Sequence, residues 1–378
     1  MKILFTGGGS GGHILPIIAV SREIRRILPE SQGGKSLEFF YLGPKDEFQE
    51  ILLSQEGIKV KKIFAGKIRR YLNWKSFLQN LADILFKMPL GVFQAFFYLF
   101  LLAPDLVFAK GGFGSFPTVV SAWVLRIPVF LHESDIAPGL ANKFLSKLSL
   151  KVFSSFPKTE YFSPKKTVLT GNPVRREILT GSKEEAKALL KITGTKPVVL
   201  VLGGSQGAQR INDKILEILN DLLKNFELIL QCGEKNFKEV ADESRAILNP
   251  DLENFFHLFP FLKEEELKQA LAISDFIVSR AGSGGIFEIA AAGKPSILLP
   301  LPESAQNHQI KNAYAYASSG ASIVFEEANF TPHFFLEKLK HLFSQPDEMK
   351  KMSQAARSFS KPEAAKIIAQ YLLDYLIK

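Results

Sequence analysis

The sequence predicts an α/β protein of two Rossmann-like domains, each built on a parallel sheet. Three observations carry this. A short apolar run, Lys2–Thr6, opens into the turn Gly7-Gly8-Gly9-Ser10-Gly11-Gly12-His13 and then into an apolar helical stretch. The same order of strand, glycine turn and helix returns about 195 residues later, at Lys196–Leu202 and Gly203-Gly204-Ser205-Gln206-Gly207-Ala208. Around both, strand-like runs alternate with helical ones, the pattern of parallel strands joined by crossover helices.

Composition sets the outer limits. A chain of 378 residues is long enough for two separate cores. With 46% hydrophobic and 22% charged residues it is globular, not disordered. The single cysteine, Cys232, excludes an intramolecular disulfide framework and a cysteine-rich metal site. A reducing cytoplasm is the expected setting, and no cleavable signal is expected where Lys2–Thr6 runs straight into glycines. The net charge of +9 calls for an anionic partner: nucleic acid, anionic lipid or a phosphorylated substrate. No zinc-finger or RNA-binding motif is present. Many of the 33 phenylalanines cluster between Phe77 and Phe108, which favours a membrane surface over nucleic acid.

The first glycine turn suits close backbone approach to a phosphate or sugar, with a helix N-terminus behind it. His13 is its one ionisable side chain and a candidate general base. Strands are expected at Leu37–Gly43 and Val60–Phe64, with a helix at Asp46–Gln55 between them. From Lys67 to Lys75 basic residues interleave with aromatics, and Phe77–Phe86 has a helical rhythm. Met88–Ala103 is nearly all apolar, with Gln94 its one strongly polar member. The run falls short of the roughly 18–20 residues a bilayer span needs. The second half of this region is expected to be a buried domain helix. Its first half is expected to be a peripheral membrane patch, in which cations meet lipid phosphates.

Asp105–Ala109 is a strand ending in a second glycine loop, Gly111-Gly112-Phe113-Gly114. Pro128–Leu131 is another, with His132-Glu133-Ser134-Asp135 at its C-terminal end, the edge where parallel sheets collect ligands. Gly171-Asn172-Pro173-Val174-Arg175 is turn chemistry and marks the domain junction. The expected domains are 1–170, with the helix at 359–378 packing back on it, and 171–358. In the second half, strands are expected at Phe226–Gln231, Phe255–Leu258, Phe276–Ser279 and Ser296–Pro300. Arg280, Ser283, Gly284 and Gly285 follow the third of these and suit a diphosphate at a helix N-terminus. Glu288, about one turn into that helix, is either an ordinary exposed acid or a grip on ribose hydroxyls. Gln306–Gln309 opens the next helix with sugar-binding amides.

Taken together and in this order, these motifs resemble the MurG family of N-acetylglucosaminyltransferases. The carriers are Gly8–His13, Lys110–Phe113, His132–Asp135 with Pro138–Asn142, Gly171–Arg175, Gly203–Ala208, Ser279–Gly282, Glu288–Pro295 and His308-Gln309. The resemblance covers nearly the whole chain. It implies the GT-B fold, with two Rossmann-like domains facing a central cleft, the lipid acceptor on the first and the UDP-sugar on the second. It implies transfer of N-acetylglucosamine, with inversion, from UDP-N-acetylglucosamine to the muramoyl 4-hydroxyl of undecaprenyl-pyrophosphoryl-N-acetylmuramoyl-pentapeptide, a step of peptidoglycan synthesis. By the same resemblance Ser10, Gly11 and Gly12 line the sugar and diphosphate side, and His13 is the base. Arg175 and Ser205 approach the donor phosphates, and Leu262 meets the uracil through its backbone. The turn at Ser283 gives N–H groups to phosphate, Glu288 holds the ribose, and Gln309 holds sugar hydroxyls.

Two departures stand out: Ser134-Asp135 where much of the family has Gln-Asn, and glycine at both 284 and 285. No Asp-x-Asp motif is present, so no metal and no cofactor are expected. The expected place is the cytoplasmic face of the bacterial plasma membrane, bound peripherally to an anionic surface. A nucleotide-sugar epimerase and a non-catalytic binding module are the rival readings. The basic and aromatic patch argues against the first, and His13 against the second.

Overall fold

The computed structural model describes residues 1–8, 11–28, 37–67, 74–157, 160–204 and 208–377. The chain forms two compact units. Met1–Val174 with Pro362–Lys378 is the first and Arg175–Lys361 the second.

The first unit is organised on a seven-stranded parallel sheet. Its strands are β1 (Lys2–Thr6), β2 (Glu38–Gly43), β3 (Lys59–Lys62), β4 (Leu106–Ala109), β5 (Val129–Glu133), β6 (Lys151–Ser154) and β7 (Thr167–Leu169), in the order β3-β2-β1-β4-β5-β6-β7. The last two strands are short and flanked by lysines, which is why their pattern is weak in the sequence. Along β1, Ile3 and Phe5 enter one core and Leu4 the other. Burial on both faces is what a parallel sheet covered by helices requires. On one face lies the helix Gly11–Ile27, and the final helix, Ala364–Ile377, packs with it through Ala365, Ile368, Ala369 and Leu372. The two alanines lie one turn apart and let the helices approach closely.

The second unit carries a six-stranded parallel sheet. Its strands are β8 (Val198–Leu202), β9 (Glu227–Gln231), β10 (Phe256–Phe259), β11 (Phe276–Ser279), β12 (Ser296–Leu298) and β13 (Ser322–Val324), in the order β10-β9-β8-β11-β12-β13. In both sheets the first strand of the unit lies centrally, with the order reversing beside it. Ligands bind at the carboxyl ends of strands at such a point.

The apolar region after Trp74 departs from expectation. Helices Trp74–Ala82 and Met88–Leu102 are joined by a π-helical turn, Asp83–Lys87. The stretch Ser76–Leu102 is 27 residues long, enough by length and composition alone to cross a membrane. The Met88–Leu102 helix is not the buried domain helix expected from its composition. Only Gly91, Ala95 and Leu99 are buried, and Leu90, Phe93, Phe97, Phe100 and Leu101 are exposed. The buried stripe holds the helix flat on the domain. A Cβ on Gly91 would lie 1.9 Å from the Phe64 carbonyl oxygen. Gln94 accepts the Phe64 amide at 2.8 Å, and Ser121 donates to the Val92 carbonyl at 2.8 Å. Gln94 is thus a docking residue. Arg69 and Arg70 lie outside the described residues.

Candidate active site

In the first unit, the site forms where the ends of β1, β4 and β5 meet. Two glycine loops press together there. A Cβ on Gly114 would lie 2.3 Å from the Gly7 carbonyl oxygen, so only glycine fits. Gly111 and Gly112 have φ of 83° and 79°, a region costly for other residues. His13, in the first turn of the Gly11–Ile27 helix, is gripped between the loops. Its ring would lie 3.1 Å from a Cβ on Gly112 and 3.3 Å from one on Gly8. Gly11 and Gly12 open the same helix. Ser10 lies outside the described residues.

The loop against His13 is itself held. Asn142 accepts the Gly112 amide at 3.0 Å and donates to Glu133 at 2.7 Å. The other Glu133 oxygen accepts the Asp135 amide at 2.9 Å. Lys110, fully buried, donates to the Ser134 hydroxyl, which donates in turn to Asn172 at 3.2 Å. His132 donates Nε2–H to the Gly171 carbonyl at 3.1 Å and so pins the junction turn. Sequence reasoning quoted Lys110 and Asn142 within motifs but gave them no task. Their signal is a lysine and an asparagine flanking glycine loops in otherwise apolar surroundings.

The electrostatics follow from burial. Burial, and after it the Lys110 charge, lower the His13 pKa to about 4, against the opposing charge of Asp135. The imidazole is therefore neutral near pH 7, with a lone pair available. Burial raises Glu133 to about 7, helped by Asp135, and lowers Lys110 to about 8 against Glu133 and Asp135. Asp135 thus adds a charge that favours protonation of His13.

In the second unit, the helix Ser283–Ala292 starts behind β11 with Gly282 as its N-cap. A Cβ on Gly282 or Gly284 would meet nothing within 4 Å, so this helix N-terminus faces open space. Its first amides, at Ser283, Gly284 and Gly285, have no partner within the helix, which makes an anion site. Glu288 is half-buried, and burial raises its pKa while Arg175 opposes.

Arg175, expected to approach the donor phosphates, is held by two carboxylates. It is buried, with Nη1 at 2.9 Å from Glu264 and Nη2 at 3.5 Å from Glu288. Leu262, expected at the uracil, gives its amide to the Gln231 side chain at 3.0 Å. Gln309, expected at the sugar, accepts the Leu301 amide at 3.0 Å through Oε1. Arg280 bonds the Leu299 carbonyl at 3.0 Å and pairs with Glu327. Ser205 lies outside the described residues. Gln231, Glu264 and Glu327 escaped sequence reasoning. For Gln231 the available signal is a polar residue closing an apolar strand.

The chain is similar to known proteins over nearly its whole length. The glycosyltransferase family 28 N-terminal domain matches residues 3–154, and the family 28 C-terminal domain matches 198–368. A Bacillus cereus protein named UDP-N-acetylglucosamine--N-acetylmuramyl-(pentapeptide) pyrophosphoryl-undecaprenol N-acetylglucosamine transferase 2 is 36% identical over 375 residues, 99% of each chain. The crystal structure of Acinetobacter baumannii MurG aligns with TM-score 0.73 at 23% identity over 99% of each chain. A UDP-GlcNAc 2-epimerase from Neisseria meningitidis, bound to UDP-GlcNAc, aligns with TM-score 0.65 at 18% identity, over 99% of this chain and 100% of that one. The two structural likenesses speak for the GT-B fold alone. The full-length identity and the paired domains decide the family: this chain is a glycosyltransferase of family 28 and belongs to the MurG family of N-acetylglucosaminyltransferases.

Proposed function

We propose that the chain transfers N-acetylglucosamine from UDP-N-acetylglucosamine to the muramoyl 4-hydroxyl of undecaprenyl-pyrophosphoryl-N-acetylmuramoyl-pentapeptide, with inversion. The observation that carries the reading is a neutral imidazole clamped between two glycine loops, in a chain of full family length. The acceptor hydroxyl attacks the anomeric carbon while His13 takes its proton. The C1–O bond to UDP breaks as the new β-1,4 bond forms. The leaving diphosphate gathers charge, and the N-terminal amides of the helix Ser283–Ala292, at Gly284 and Gly285 above all, stabilise it without reorganisation. Glu288 accepts from the ribose hydroxyls, and the Leu262 carbonyl from the uracil. Turnover with the lipid acceptor tests the whole reading. UDP-N-acetylglucosamine incubated alone should stay unchanged; its conversion would indicate the epimerase reaction.

Replacing Glu288 with Gln keeps the shape but loses the charge and one acceptor oxygen. Hydrogen bonds to a charged group contribute about 1.5–3 kcal/mol. UDP should therefore bind on the order of 10-fold more weakly. Calorimetric titration with UDP and 2′-deoxy-UDP checks this. If the deoxy analogue loses as much affinity as UDP, Glu288 does not read that hydroxyl.

The chain acts, in this proposal, on the cytoplasmic face of the bacterial plasma membrane. The support is the exposed apolar face carried by Phe86, Leu90, Phe93, Phe97 and Phe100. The helix is docked along its flank by Gly91, Ala95 and Leu99, and leaving the domain would break that packing. It therefore lies in the plane of the interface. A Phe93→Ser, Phe97→Ser, Phe100→Ser variant should lose most vesicle co-sedimentation and keep its thermal midpoint. Because apolar contact dominates over the basic residues, high salt should release the wild type only in part. Complete release by salt would make the attachment electrostatic.

A further inference from the structure

The donor-side unit contains a carboxylate that the proposed reaction does not use. Glu327 lies in a short 3-10 turn just after β13, and its side chain is only 9% exposed. One of its oxygens pairs with Arg280, at the end of β11. The other pairs with Arg210, in the first turn of the helix Gln209–Glu217 behind the β8 glycine loop. Arg280 is further tied to the Leu299 carbonyl at the end of β12, and Arg210 to Glu303 at 2.7 Å. Four neighbouring strands, β8, β11, β12 and β13, thus have their C-terminal loops joined through one carboxylate. That edge of a parallel sheet is where ligands bind.

We propose that Glu327 is a positioning residue for donor binding. It fixes the Arg280 guanidinium and, through Arg210, anchors the start of the helix behind the β8 glycine loop. The inference rests on the donor reading above. Two guanidinium groups converging on one carboxylate would repel each other without it. Without Glu327, Arg210 would keep only its pair with the exposed Glu303, and the start of the helix Gln209–Glu217 would lose its link to the β13 edge. Arg280 would keep one bond, to Leu299, and lose its second anchor. A cavity of about 470 Å³ lined by Arg210, Asp213, Lys214, Pro302, Glu327 and Ala328 gives the freed side chains room to move.

The test is calorimetric binding of UDP and of uridine to the full chain and its variants. Glu327→Ala should weaken UDP about 5-fold or more and leave uridine unchanged, because only UDP carries phosphates. Glu327→Asp keeps the charge and should recover part of the loss. Glu327→Ala and Arg280→Ala together should cost less than the sum of the two single changes, since they share the Arg280–Glu327 pair. Glu327→Gln separates positioning from simple masking of Arg280. Positioning predicts weaker UDP binding, whereas masking predicts tighter binding and overturns the proposal. Equal losses for UDP and uridine, or no loss for UDP, overturn it as well. If Glu327→Ala fails to fold, the Gln and Asp variants carry the same comparison. Failure of the wild type to bind UDP would instead refute the donor reading itself.

Discussion

Replacing His13 with Ala is expected to lower turnover with the lipid acceptor by roughly 10²–10⁴ while UDP affinity changes little. The expectation rests on place and charge state together. The imidazole sits close against two glycine loops, where a Cβ on Gly8 or Gly112 would come within 3.3 Å and 3.1 Å of its ring. A histidine with an ordinary pKa would be partly protonated near pH 6.5. This one is held near 4, so it is an available base across the physiological range. It must be neutral to accept the proton, so activity falls as pH drops through its pKa. The acid limb of kcat/KM should therefore lie well below pH 6. In Asp135→Asn the limb should move lower still, because the Asp135 charge raises His13. A His13→Ala enzyme with near-normal turnover would remove the histidine from the chemistry and direct attention to Glu133 and Asp135.

Replacing Arg175 with Ala is expected to be nearly as damaging, by another route. Arg175 is buried between Glu264 and Glu288, and its removal takes the guanidinium from between two carboxylates. Breaking a buried pair in this way costs about 3–5 kcal/mol of stability, less to the extent that Glu264 meets solvent. The second consequence is a change of protonation. Burial already raises Glu288 and Arg175 opposes it, so without Arg175 its pKa rises further. A protonated Glu288 loses acceptor capacity for the ribose. UDP affinity should thus fall about 10-fold or more near neutral pH and recover as the pH is raised. Arg175→Lys should keep much of the stability, since it retains the charge, though not the forked geometry. Calorimetry between pH 6 and 9 checks the sign. A pH-independent loss would place Arg175 on the donor phosphates instead of on Glu288.

The glycine loops were legible because one of their causes is local: positive φ at Gly111 and Gly112 favours glycine just after a strand. The repeated strand, glycine turn and helix carried the two parallel sheets for the same reason. The pressing of Gly114 on the Gly7 carbonyl, far away in the chain, is tertiary. Two strands were not legible: Thr167–Leu169 is a three-residue edge strand with no buried side chain, and Lys151–Ser154, though Val152 and Phe153 enter opposite cores, is only four residues long and starts on a lysine.

The apolar helix marks the opposite limit. Composition made Met88–Leu102 apolar, and apolar helices are ordinarily core. Whether a partner covers each face is a tertiary fact, and here only the Gly91, Ala95 and Leu99 stripe is covered. The same distinction separates the residues of the site. The sequence by itself determined the fold, the family, and the presence of His13, Arg175, Arg280 and Glu288 beside glycine turns. Only the tertiary structure decided their partners: Arg175 with carboxylates 89 and 113 residues away, Asn142 beneath Gly112, and Glu327 joining Arg210 to Arg280. Backbone conformation is set by near neighbours in the chain, whereas the partner of a buried charge is set by which elements the packed sheets bring to one edge.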